Sequence, residues 1–245
     1  MIAANKNDLI DALLFIYFRR LARRAFHTIA GRGLDRLRDL PRDRPVLLFC
    51  NHTNWWDGLI AYLLTRQMSH KALFCMMEEK QLKHYRFFTW LGAFSVDLSN
   101  PLRSAAALRY AQRLLLKKET GIWIFPQGKL SRPDEPVEIR PGIDYLAQNT
   151  PHAILVPVAF RYEFFREDRP NVLIEIGQPF QAIDRTDGRI ARECNEAVAR
   201  VTQAALNQDL TGFSLLFQPR WPINKRWEWI KRAVTGRLGE FSPNN

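Results

Sequence analysis

The chain has 245 residues and a mass of 28.6 kDa, enough to bury a full hydrophobic core in one large domain. Hydrophobic residues make up 47%, and Pro (14) and Gly (12) stand at ordinary levels, which excludes a disordered, collagen-like or linker-like chain. Lys and Arg outnumber Asp and Glu by 36 to 25, and the net charge of +11 points to a polyanionic partner, either nucleic acid or an acidic membrane surface.

Residues 8–30 read as a helix, with Leu9, Leu13, Ile16, Phe18 and Leu21 at helical spacing, arginines filling its end and Gly31 and Gly33 stopping it. Asp8 and Asp11 precede its apolar stretch and Arg19, Arg20, Arg23 and Arg24 follow it, the reverse of a signal peptide, so no export is expected. Residues 45–50 form a short apolar run between turn signals and read as a buried strand. A helix at 55–66, a strand at 72–77, a helix at 79–91 and a strand at 92–97 follow. Pro101, at a first helical position, opens a helix to about Lys118. Strands are expected at 121–126, 154–160 and 172–177, then a long amphipathic helix at 184–208. The tail at 213–245 mixes Trp221, Trp227 and Trp229 with Arg and Lys.

Short apolar strands alternating with helices predict an α/β fold: a single domain with a mixed, mostly parallel sheet flanked by helices. The expected division is an N-terminal amphipathic helix and connector at 1–44, the α/β domain at 45–212, and a basic tail at 213–245. No run reaches the roughly 20 apolar residues of a bilayer span, since the longest charge-free one, Tyr145 to Phe160, is broken by Pro151 and Pro157. Cys50, Cys75 and Cys194 are far apart, so neither a disulfide framework nor a zinc site is expected, and a reducing compartment fits.

Two stretches carry chemistry. The first, Asn51-His52-Thr53-Asn54-Trp55-Trp56-Asp57, leaves a strand and enters a helix, where α/β sheets place ligands. A histidine can serve as general base when a carboxylate fixes its tautomer, and His52 and Asp57 meet if the loop folds back. Asn54 and Asp57 also resemble a capping box, and a cap would hold Asp57 in place. The second, Ile124 to Arg132, is a strand ending in a Pro-Gly turn with Lys129 and Arg132 beside it, suited to an anionic group. It is not a P-loop: Trp123 stands where that motif needs Gly, and Leu130 where it needs Ser or Thr.

Asn-His-x4-Asp at 51–57 followed by Phe-Pro-x-Gly at 125–128 resembles the glycerolipid acyltransferase family, whose bacterial members include 1-acyl-glycerol-3-phosphate acyltransferase. Gly92 to Asp97 resembles the second block of that family and Val156-Pro157-Val158 the fourth, and Arg140-Pro141-Gly142 is similar to its step between the third and fourth. The resemblance covers about residues 45–180. It implies acyl transfer from a thioester, acyl-CoA or acyl-ACP, to a hydroxyl of a lysophospholipid, with His52 as base and Asp57 orienting it. Neither metal nor bound cofactor is implied, and backbone N–H groups near Gly128 or Asn51 are the candidate oxyanion donors.

This chain departs from the family's pattern twice. Gln127 stands where the third block usually has Glu, and Leu98 where the second block has Arg after its Asp. The family associates both positions with the acceptor, often its phosphate. Lys129, Arg132, Arg103 and Arg140, with Gln127 and Gly128, are the expected acceptor or phosphate-binding residues. The same chemistry on a non-phosphorylated acceptor, such as a glycolipid or a glycosylated pigment, is the alternative that Leu98 and Gln127 favour.

Cys50 ends an apolar strand and reads as a core residue rather than a nucleophile. His27, His70, His84 and His152 have no partner pattern. The basic helical ends suit an anionic leaflet, so a peripheral protein on the cytoplasmic face of a membrane is expected. Nucleic-acid binding would interleave aromatics with cations on a sheet face, whereas here they cluster at the termini and in apolar runs, so no nucleic-acid partner is expected.

Overall fold

The computed structural model describes residues 1–184 and 187–217, together with 227 and 231. The chain runs α1 (Asp8–Ala25), β1 (Ile29–Arg32), α2 (Asp35–Arg38), β2 (Val46–Cys50), α3 (Asp57–Met68), β3 (Ala72–Glu78), α4 (Glu79–His84) and β4 (Ala93–Val96). Then come α5 (Pro101–Leu115), β5 (Thr120–Ile124), α6 (Gly142–Asn149), β6 (Ile154–Glu163), β7 (Asn171–Ile176), β8 (Phe180–Gln181), α7 (Arg189–Asn207) and β9 (Phe213–Phe217). The strands form one sheet in the order β4-β3-β5-β2-β6-β7-β1-β9, with β8 pairing β6 off that path. Neighbours from β4 to β6 are parallel, as are β7 and β1, while β6–β7, β1–β9 and β6–β8 are antiparallel.

Alternation along β2 divides the core. Val46, Leu48 and Cys50 pack with α1 and α3, whereas Leu47 and Phe49 pack with α5, α6 and α7. Every residue of β2 and β5 is buried, as a sheet covered on both faces requires. Trp123 is fully buried on the α3 side, and its Nε1 donates to Thr65 Oγ1 at 2.7 Å.

The terminal segments belong to this sheet. Residues 29–30, expected to end the first helix, instead begin β1, and the start of the expected tail forms β9 beside it. The expected helix at 79–91 breaks into α4 and a 3-10 turn at Arg86–Leu91, which Gly92 ends at φ 103°. A Cβ there would collide with the carbonyl oxygen of Leu73, so glycine is required. The last long helix starts at Arg189 rather than 184. Helices α2 and α6 were not expected; α2 has four residues and α6 eight, lengths at which periodicity carries little signal.

At the end of the sheet away from the strand termini that carry the motifs, Lys71 is 6% exposed, and the three protons of its Nζ are shared among four carbonyls: Pro41 at 2.6 Å, Arg44 at 2.7 Å, Lys118 at 3.0 Å and Arg42 at 3.3 Å. That ammonium ties together the loops entering β2, β3 and β5. Lys71→Met leaves the carbonyls without their donor and should cost on the order of 1–3 kcal/mol. The melting midpoint should fall by roughly 3–10 °C. A midpoint equal to that of the unsubstituted protein would show that the tie contributes nothing.

Candidate active site

Strands β2 and β5 run parallel, and the loops leaving their C-terminal ends lie side by side. Asn51 anchors the first loop: its side chain donates to Phe160 O at 2.9 Å and accepts from Phe160 N at 2.8 Å, extending the ladder with β6 by one step. The chain then turns so that His52 Nδ1 lies 2.8 Å from Asp57 Oδ2. Asp57 is fully buried at the start of α3. Its Oδ2 also accepts from Thr53 N at 2.7 Å and Asn54 N at 2.8 Å, and its Oδ1 accepts from Tyr162 Oη at 2.7 Å. A carboxylate receiving these donors can only accept, so in the neutral imidazole the proton sits on Nδ1 and Nε2 is the unprotonated nitrogen. The His52 side chain is 25% exposed, and among the described residues Nε2 has no hydrogen-bond partner.

The reach of Asp57 back to Asn54 N is one half of the expected capping box. The other half differs, because Asn54 Oδ1 accepts from Trp56 N, at 3.1 Å, one residue short of Asp57. The loop closes on itself before the helix begins, and this brings the carboxylate under the imidazole.

The second loop braces the first. Gln127 is 4% exposed, and its Oε1 accepts from His52 N at 2.7 Å, while Ser131 N donates to His52 O at 2.9 Å. Phe125 lies beside the imidazole, with ring centroids 4.4 Å apart. Gly128 takes φ 66° in the turn, and a Cβ there would stand 2.9 Å from Leu98 Cδ1 and 3.0 Å from Arg140 Nε. Arg140 pins this turn from outside, N to Pro126 O at 3.0 Å and Nε to Gln127 O at 2.9 Å.

The expected site residues therefore separate. His52, Asp57, Gln127, Gly128 and Arg140 are contiguous, and Lys129 follows in the turn with its side chain exposed. Gln127 is turned inward to the His52 backbone. Arg103 lies 3.4 Å from Asp97 and 3.7 Å from Glu79, and exposed Arg132 makes a two-nitrogen pair with Asp134 at 2.9 and 3.1 Å. Of the candidate oxyanion donors, Gly128 N is engaged by Phe125 O at 3.0 Å and His52 N by Gln127. Cys50 is fully buried in the α3 layer, and burial pushes its thiol well above the ordinary range, which agrees with a core role. The group that motif reasoning missed is Tyr162. Its signal was the alternation Val156, Val158, Phe160, Tyr162 along β6, which carries one face of that strand to the end where His52 stands.

Fold and site together define an α/β protein with a carboxylate-steadied histidine at the C-terminal ends of parallel strands. The model of the Acyltransferase family matches residues 32–161, more than half of the chain, and the chain belongs to that family. Among solved structures, the 1-acyl-sn-glycerophosphate (LPA) acyltransferase PlsC from Thermotoga maritima has a similar fold, with a TM-score of 0.55 at 17% identity, over 81% of this chain and 79% of that one. No curated protein sequence matches. Among the described residues no cluster of ligating side chains could hold a metal ion, and no helix is long and apolar enough to cross a membrane.

Proposed function

We propose that this enzyme moves a fatty acyl group from an acyl thioester, acyl-CoA or acyl-ACP, to a hydroxyl of a lysophospholipid such as 1-acyl-glycerol-3-phosphate, as a step of phospholipid biosynthesis. The observation that carries the reading is the bond from His52 Nδ1 to buried Asp57 at 2.8 Å, which leaves Nε2 available as a base. The acceptor hydroxyl gives its proton to Nε2 as its oxygen attacks the thioester carbonyl. The tetrahedral oxyanion collapses and expels the thiolate, which takes that proton back from the imidazolium. Asp57 keeps the ring in this orientation and stabilises its charge. The name of the structural relative, an LPA acyltransferase, agrees with a lysophosphatidate acceptor.

A second reading keeps the chemistry and makes the acceptor a non-phosphorylated hydroxyl, as on a glycolipid or glycosylated pigment. Arg103 and Arg132 favour it because both are paired with carboxylates, and Leu98 favours it by packing where a guanidinium would serve a phosphate. Lys129 is then the cation left for a phosphate, since Arg140 is held through its Nε on Gln127 O, and an acceptor panel argued below decides between the readings.

The enzyme would act as a peripheral protein at the cytoplasmic face of a membrane, and α1 supports this. Phe18 and Ala22 enter the core, while Leu9 (73% exposed), Leu13, Ile16 and Tyr17 form an outward apolar stripe that Arg20 and Arg24 continue. Arg19, Arg20 and Arg23 line, with Ile16, a groove of about 200 Å³. Trp227 is 56% exposed, with Lys231 Nζ 5.6 Å from its ring centroid; Trp221 and Trp229 lie outside the described residues. Because α1 is part of the core, substitutions test its role better than deletion. Arg20→Gln with Arg24→Gln should weaken binding to anionic vesicles about thirtyfold, at roughly 1 kcal/mol per arginine near the surface. Added salt should weaken it further. Equal sedimentation of the pair variant and the unsubstituted enzyme with phosphatidylglycerol vesicles would exclude this face as the contact.

A further inference from the structure

Among the described residues two side chains bond to Asp57, His52 and Tyr162, and the second has no part in the chemistry above. Tyr162, near the end of β6, donates its hydroxyl to Asp57 Oδ1 at 2.7 Å. We infer that Tyr162 is a positioning residue: its bond to Oδ1 locks the plane of the Asp57 carboxylate, so that Oδ2 stays aimed at His52 Nδ1 while the imidazole gains and loses a proton. This rests on the acyl-transfer reading of His52 and assigns a further residue to the same site.

The two carboxylate oxygens are served unequally. Oδ2 receives three donors, His52 Nδ1, Thr53 N and Asn54 N. Among the described residues Oδ1 receives one, Tyr162. Asp57 is fully buried, so bulk solvent does not reach its oxygens. A carboxylate held at one oxygen turns about its Cβ–Cγ bond, and the second point of attachment removes that freedom. The phenol ring is itself held. Phe26, at the C-cap of α1, packs on it with centroids 5.8 Å apart and on Trp56, the residue before Asp57, at 4.9 Å.

Tyr162 also remains a donor. Burial, with the Asp57 charge beside it, holds its hydroxyl well above the ordinary range of a phenol. The other titratable groups that face Asp57 are His52 and Cys50, and burial keeps the Cys50 thiol neutral. Removing the Tyr162 bond takes stabilisation from the anionic carboxylate, so the His52–Asp57 pair keeps its last proton to higher pH.

The test is Tyr162→Phe in the full chain, which keeps the ring contacts, assayed with palmitoyl-CoA and lysophosphatidate. The expected result is a fall of about tenfold in kcat with both KM values within twofold. The acid limb of kcat/KM should move up by about one pH unit. Replacing Tyr162 with 3-fluorotyrosine, a stronger donor, should move the limb the other way. A low-field proton resonance from the His52 Nδ1–H bond, assigned by its loss in His52→Ala, should shift or broaden in Tyr162→Phe. A Tyr162→Phe enzyme with unaltered kcat and limb overturns the inference. So does a lower kcat with limb and resonance unmoved, the outcome of a merely structural role. If His52→Ala keeps its turnover while the resonance moves in Tyr162→Phe, the acyl-transfer reading falls and the positioning geometry stands.

Discussion

His52→Ala should lower turnover by roughly 10²–10⁴, the usual contribution of a general base, and leave the fold intact. The two halves of that expectation come from different atoms. The imidazole is partly exposed and makes one side-chain hydrogen bond, through Nδ1. After its removal Asp57 Oδ2 still accepts from Thr53 N and Asn54 N, and Oδ1 from Tyr162. The buried carboxylate therefore remains satisfied and stability changes little. On the proposed mechanism turnover loses its base, and His152 and His27 are not placed to take its part. His152 faces the carbonyl of Leu115 at 3.3 Å and His27 faces Glu167 at 3.8 Å. The measurement is initial velocity of thiol release from palmitoyl-CoA with lysophosphatidate, beside a thermal melt. Near-full velocity in a folded His52→Ala enzyme would remove His52 from the mechanism. Cys50→Ala separates this from a covalent route: its buried thiol predicts turnover near that of the unsubstituted enzyme.

How much of this could be read before the fold was known depended on the distance in sequence over which each feature is encoded. The apolar runs of β2, β5, β6 and β7 are local and were readable as strands. Strand β1 was not: its four residues, IAGR, include a glycine, follow a strong helical pattern directly, and become a strand by pairing with Val172 to Glu175 and with β9, over a hundred residues away. The site divides the same way. His52 and Asp57 are five residues apart, and the turn that joins them is built from the residues between. Gln127 and Tyr162 come from 75 and 105 residues beyond their partners, so only the β5-β2-β6 order brings them in. Arg103 shares that nonlocality through Glu79 on α4, whereas Arg132 is redirected locally, by Asp134 two residues on. Each was legible as a cation near a motif, but the carboxylates that pair with them depend on how α4 and α5 pack and on how the loop after Gly128 folds.

Lys129→Ala should lower kcat/KM for lysophosphatidate by roughly 10- to 150-fold and leave a monoacylglycerol or glycolipid acceptor unaffected. The range is that of a hydrogen bond to a charged group, about 1.5–3 kcal/mol. Lys129 carries the prediction because its rivals are engaged: Arg103 lies against Asp97 and Glu79, Arg132 against Asp134, and Arg140 has its Nε on Gln127 O. Its exposed side chain follows Gly128, one residue beyond the Gln127 that holds His52, so a phosphate bound there would sit close to the acceptor hydroxyl. Arg132→Ala removes only a solvent-exposed pair and should change either acceptor little. Leu98→Arg is the converse variant. It puts a guanidinium beside Gly128, and if the natural acceptor is neutral it should raise use of lysophosphatidate above that of the unsubstituted enzyme. A loss in Lys129→Ala that falls equally on phosphorylated and neutral acceptors would end the phosphate assignment. With a gain in Leu98→Arg, the neutral hydroxyl would then be the acceptor this site is shaped to take.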